Sequence, residues 1–166
     1  MTNNNQDNNL EKKITILGIG NTLFSDEGVG VHVLPLLEEI YDGDPTIEII
    51  EGSTDGIKLL GPVEDTDYLI VIDAINAGKQ GGTLISLVDE QIPAYFGIKM
   101  SIHQLGFQEV LLAAKLRERY PKHIVMLGMQ PSSLELGVQL TAENQEKLPD
   151  LANLVKNQIN QWRDVS

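Results

Sequence analysis

The run Tyr68-Leu-Ile-Val-Ile-Asp73 constrains this chain more than any other feature: four consecutive apolar residues, three of them β-branched, closed by an acid. A strand that is apolar at every position has to be covered on both faces, which is the pattern of a parallel sheet sandwiched between helices. Lys13–Gly18 and His123–Met129 read the same way, and Thr46–Glu51 alternates well enough to be a further strand. Helical spacing follows in the intervals. Val29, Val33, Leu36, Leu37 and Ile40 form one face, with a start capped by Ser25 or Asp26 and a kink expected at Pro35. Phe107, Val110, Leu111 and Ala114 form a second face. Leu148, Leu151, Val155, Ile159 and Trp162 form a third, with Pro149 expected near its helix start. The turn Gly78–Gly82 leads into Thr83–Val88, short enough to fold back antiparallel as a hairpin.

The expectation is one three-layer α/β/α domain over residues 13–166, built on a mostly parallel twisted sheet with one antiparallel strand. Residues 1–12 read as a disordered Asn-rich tail, and the long loop Pro93–Ser101 as a functional segment. In such a sheet ligands sit beyond the carboxyl ends of the strands, so residues 18–27, 51–55, 73–76 and 129–133 are the ones to search for chemistry.

Charge and residue types narrow that search. With 12 Lys+Arg against 24 Asp+Glu the net charge is −12, and the longest basic cluster is Lys12-Lys13, so no nucleic-acid partner is expected. There is no cysteine, which removes disulfides, thiolate metal sites and cysteine nucleophiles. No apolar run approaches the roughly 20 residues that span a bilayer, and the amino terminus lacks the basic and apolar regions of a signal peptide. The expected setting is cytoplasmic, without a membrane partner.

Gly18-Ile-Gly20-Asn-Thr-Leu23 supplies two of the three glycines of a dinucleotide fingerprint, with Glu51 where a ribose-binding acid would stand. The third position is Leu23, and Asp26 and Glu27 put two negative charges where a pyrophosphate would bind. A phosphate-loop motif and an H-E-x-x-H motif are absent, and Ser53 lies one place too early for G-x-S-x-G. Three residues at strand or helix ends remain: Glu27, Asp73 and His103. Two carboxylates and an imidazole suit a borderline divalent ion such as zinc or nickel, leaving positions open for water or substrate. Each also has a structural reading. Glu27 complements a helix dipole, Asp73 accepts backbone N–H groups in its turn, and His103 caps its helix.

Five segments carry a family resemblance. Ile16-Leu-Gly-Ile-Gly-Asn-Thr-Leu-Phe-Ser-Asp-Glu-Gly-Val-Gly30, Glu51-Gly-Ser-Thr-Asp-Gly-Ile-Lys-Leu-Leu-Gly61, Ile70-Val-Ile-Asp-Ala74, Ser101-Ile-His-Gln-Leu-Gly106 and Gly128-Met-Gln-Pro-Ser-Ser-Leu-Glu135 stand in order along the chain. They resemble the motifs of the nickel–iron hydrogenase maturation proteases. The resemblance implies an aspartyl-type endopeptidase that trims the C-terminus of the hydrogenase large-subunit precursor once nickel has been inserted. It implies that Glu27, Asp73 and His103 sense that nickel, which the substrate supplies, with another divalent ion able to stand in for it in vitro. It also implies an antiparallel strand, which fits Leu84–Val88, and a protein acting as a monomer on its precursor partner. One departure stands out: the family commonly shows Asp-Gly-Gly-Thr where this chain has Glu51-Gly-Ser53-Thr54. Glu51 and Asp26 are the candidate general bases. Two other functions compete with cleavage: a nickel-sensing module that docks the precursor without cutting it, and a nucleotide-binding α/β protein using Gly18, Gly20 and Glu51.

Overall fold

The computed structural model describes residues 12–52, 56–92 and 102–164. Among the described residues five strands form one sheet: β1 Ile14–Gly18, β2 Ile47–Glu51, β3 Tyr68–Ala74, β4 Leu84–Val88 and β5 His123–Met129. Their order is β2-β1-β3-β5-β4, with every neighbouring pair parallel except β4 against β5. The mostly parallel sheet and its single antiparallel strand agree with the sequence pattern.

The hairpin does not. β4 runs antiparallel, as expected, but it pairs with β5 rather than with β3, from Leu84 opposite Met129 to Val88 opposite Val125. Both edges of β3 are taken, by β1 and by β5. β3 is buried from Leu69 to Ala74, whereas β4 alternates between half-buried and exposed residues and so suits the sheet margin.

Successive residues of the central strands point to opposite faces and build two cores. Ile14, Ile16, Ile70, Ile72, Val125 and Leu127 face one layer of helices. That layer holds α1 Val29–His32, α2 Leu34–Ile40 and the long α5 Ala142–Asp164. Leu17, Leu69, Val71 and Met126 face the other layer, formed by α3 Leu60–Glu64 and α4 Ile102–Leu116. Phe107 is the largest side chain fully buried there.

Both expectations about proline need revision. The helix after β1 is broken at Val33 rather than kinked at Pro35, which sits in the first turn of α2, where its missing N–H costs least. Pro149 lies inside α5, well past its first turn, because that helix begins at Ala142 with Thr141 as its cap. Pro149 is on the exposed face, so the helix continues without the bond that an N–H at this position would make to the carbonyl of Gln145.

Lys12, counted with the tail, donates to the carbonyl of Trp162 at 2.7 Å and belongs to the folded part of the chain. The loop Pro93–Ser101 lies outside the described residues, as do 1–11 and 53–55.

Candidate active site

After β1 the chain goes to β2 on one side and then to β3 on the other. This reversal opens a crevice beyond the carboxyl ends of β1 and β3. Gly18 ends β1 opposite both Ile72 and Glu51, and the N–H of Ile19 donates to the carbonyl of Ile72 at 2.9 Å. A 3-10 turn, Ser25–Gly28, then crosses the top of the sheet and packs against β3.

The glycines of the opening motif make this crossing possible. A Cβ on Gly30 would run into the carbonyl oxygens of Ile72 and Ile19, and one on Gly18 into the carbonyl of Gly30. Gly20, at φ 148°, lies against the carbonyl of Glu27. The glycines are used up in packing backbone on backbone within the chain. They do not line a cradle for a diphosphate, and the nucleotide reading loses its support.

Asp73 is the next-to-last residue of β3 and is fully buried. One of its oxygens accepts the N–H of Ala74 at 2.8 Å, so its structural reading is realised in part. Opposite it on β5 stands Gly128, which has no side chain to cover it. Glu27, half-buried, stands in the turn that packs on this strand, one residue after Asp26 and three before Gly30. His103 is the second residue of α4, and its position is that of the backbone. The far end of α4 must feed the start of β5, so its fifteen residues, about 22 Å long, place the first turn at the carboxyl edge of the sheet. The fold thus carries Glu27, Asp73 and the helix turn of His103 to the same edge. Among the described residues no three His, Cys, Asp or Glu side chains converge as a metal site, and the His103 side chain is outside that set.

Asp26 has a different position from the one expected. Its carboxylate is fully buried and caps no helix. It accepts the N–H groups of Ser132 at 2.8 Å, Ser133 at 3.0 Å and Thr141 at 2.8 Å, and also the Thr141 hydroxyl. Those bonds pin the loop after β5 onto the turn before α1. A carboxylate occupied in this way has no free face toward a substrate, so Asp26 is corrected from candidate base to anchor. Ser25 does not cap either; it adopts φ 49° and donates its hydroxyl to the carbonyl of Gln139 at 2.9 Å. Glu51 is exposed at the end of β2, beside Gly18 in register. Residues 53–55 of the second motif lie outside the described residues.

Gln130 has a role that sequence pattern did not reveal. It follows β5 directly, is buried, and its Oε1 accepts the N–H groups of Ala77 at 2.7 Å and Lys79 at 3.2 Å. Its amide nitrogen donates to Asn76 at 3.1 Å. This side chain ties the loop leaving Asp73 to the end of β5. The sequence signals were its place at a strand end and in the fifth motif, neither of which names its partners.

The fold is shared with known proteins. The hydrogenase maturation protease family model (HycI) matches residues 31–158. This chain belongs to the hydrogenase maturation proteases. The hydrogenase expression/formation protein HupD of Bradyrhizobium diazoefficiens is 39% identical over 98% of this chain and 83% of its own length. The hydrogenase 2 maturation protease of Escherichia coli is 42% identical over 78% and 79%. The hydrogenase maturating endopeptidase HybD from E. coli superposes with a TM-score of 0.85 at 36% identity, over 90% of this chain and 93% of that one. The family model begins at residue 31, after Glu27. Membership makes this chain a peptidase, and neither the nucleotide reading nor docking without cleavage is favoured.

Proposed function

We propose that this protein is the endopeptidase that removes a C-terminal peptide from the nickel-loaded large-subunit precursor of a nickel–iron hydrogenase. In this reading nickel arrives with the substrate, and Glu27, Asp73 and His103 complete its coordination. One observation supports this reading above the others: the turn bearing Glu27 packs onto β3, the strand that carries the buried Asp73 next to its carboxyl end, at the switch point of the sheet. Two carboxylates and an imidazole match a borderline divalent ion in donor type.

A site with few protein ligands binds a free ion weakly and a partly coordinated one better, so recognition of the precursor becomes conditional on its metal. The ion would supply polarisation of the scissile carbonyl. Glu51, exposed at the end of β2, is the remaining candidate base for the attacking water. Another divalent ion is proposed to replace nickel in vitro. The proposed setting is the cytoplasm, and the proposed active form is the monomer, which sedimentation tests.

The deciding experiment is intact mass of the precursor after incubation with the protein, nickel-loaded and nickel-free side by side. Loss of a C-terminal peptide from the loaded form alone is expected. Unchanged mass together with a stable complex would replace cleavage by docking.

A further inference from the structure

Two apolar segments lie beside each other at the lip of this crevice. Phe24 bridges Gly137 in parallel, with the N–H of Ser25 donating to the carbonyl of Gly137 at 2.7 Å and the N–H of Gly137 to that of Leu23 at 2.8 Å. On either side of this seam Leu23, Phe24, Leu134, Leu136 and Val138 stand in solvent, Leu136 81% and Val138 67% exposed. Scattered single apolar residues need no explanation, but five on two bonded segments form a patch.

The patch is rigidly built. Ser25 between the segments is held in the left-handed region, and the buried Asp26 ties Ser132, Ser133 and Thr141 to the same turn. A non-glycine residue kept there costs free energy, and such strain persists only where its surroundings impose it. The patch also runs directly into the candidate site, because the N–H of Glu27 donates to the carbonyl of Phe24 at 3.1 Å.

We infer that this patch is a docking surface for an apolar, non-acidic segment of the client polypeptide, engaged when that chain presents its cleavage region to Glu27 and Asp73. The inference rests on the endopeptidase reading above. Charge selects the occupant. Residues 18–27 and 129–141 contain no Lys or Arg but include the half-buried Glu27 and the exposed Glu135, so an acidic segment is repelled. A second copy of this chain, also at −12, is disfavoured for the same reason.

The test uses Leu136→Asp with Val138→Asp, and Leu23→Ser on the facing segment should the double variant lose its fold. Leu116→Asp is the control: Leu116 is 77% exposed at the opposite end of α4. A cognate nickel-loaded precursor is titrated against each protein, with initial cleavage rate read by intact mass and complex formation by pull-down. The patch variants are expected to raise the half-saturating precursor concentration at least about tenfold and weaken capture in step, with the saturating rate within about twofold of wild type. Leu116→Asp should match wild type. Patch variants that titrate and bind like wild type overturn the inference, and so does a wild-type dimer that Leu136→Asp dissociates. If wild type releases no peptide, the endopeptidase reading fails by itself. Capture then decides the docking surface: binding lost in the patch variants upholds it, and binding equal or absent throughout overturns it.

Discussion

The carboxylate of Asp26 and Thr141 meet across 115 residues of sequence: the Thr141 N–H donates to Oδ1 at 2.8 Å, and its hydroxyl lies within 3.0 Å of both carboxylate oxygens. Thr141 also caps α5, its hydroxyl oxygen accepting the N–H of Asn144. One buried acid therefore fixes the start of the last helix, the loop after β5 and the turn before α1.

Asp26→Ala is accordingly predicted to act on stability. It leaves the N–H groups of Ser132, Ser133 and Thr141 without their acceptor, at a cost of about 3 kcal/mol or more, a fall in Tm of roughly 6–12 °C. Thermal unfolding measures it directly. A variant with an unshifted Tm and abolished cleavage would return Asp26 to the role of base.

Glu27→Gln is predicted to do the opposite. Glu27 is half-buried in a turn whose backbone is held by its neighbours, so the isosteric change should leave Tm within about 2 °C. Losing one of three metal-directed ligands is expected to slow precursor cleavage by about 100-fold or more. Rate by intact mass and Tm on the same sample separate the two effects. His103→Ala is expected to behave likewise, and a large fall in its Tm would make that histidine a helix-capping residue instead.

The contrast between Asp26 and Glu27 shows what sequence conveys here. Uninterrupted apolar runs such as Tyr68–Asp73 announce buried parallel strands, because no other environment suits them, and the ends of those strands locate the crevice. Position in that crevice was therefore legible for Glu27 and Asp73. The burial of Asp26 was not, since adjacent acids in one turn look alike in sequence, and the partners of Asp26 lie more than 100 residues away. The pairing of β4 was hidden for a related reason: a short link favours a local hairpin, and only the competition of β5 for the edge of β3 decides otherwise.

The same logic makes the glycines of the opening motif a packing device, and Gly30 the sharpest test of it. Gly30→Ala would drive a methyl group into two backbone carbonyls, of Ile72 and Ile19, neither of which can swing aside as a flexible side chain would. A loss of about 3 kcal/mol or more is expected, with α1 displaced from β3. Chemical denaturation of wild type and variant gives the difference. An unaltered midpoint would mean that the helix does not sit against the strand in this way.

Stability should also fall in acid through Asp44. Its carboxyl is held below the ordinary carboxylate range, chiefly by the Thr46 hydroxyl at 2.6 Å, then by the Thr46 N–H and by Arg163 at 3.0 Å, with burial opposing. A folded-state value below the unfolded one gives stabilisation that is complete above the unfolded value, and it is lost as pH falls through the folded one. The Tm advantage of wild type over Asp44→Asn is thus expected to be full at pH 7 and to shrink below about pH 4. A gap that stays constant down to pH 2 would assign the contribution of Asp44 to packing.

Pro149 interrupts the hydrogen-bond ladder of a 23-residue helix whose buried face, Leu148, Leu151, Val155, Ile159 and Trp162, spans both sides of the interruption. That face holds α5 against the sheet in spite of the proline. A proline in a helix interior lacks the N–H that would reach the carbonyl four residues back and crowds that carbonyl. Because Pro149 is exposed, replacing it by alanine removes no core contact and restores the bond to Gln145. Pro149→Ala is expected to stabilise the protein by about 1 kcal/mol, less than the full helix-interior penalty because proline also restricts the unfolded chain. A rise in Tm of roughly 2–4 °C is the expected reading. A fall would show that Pro149 is needed to seat Trp162 against Tyr68, whose rings meet edge to face at 5.1 Å.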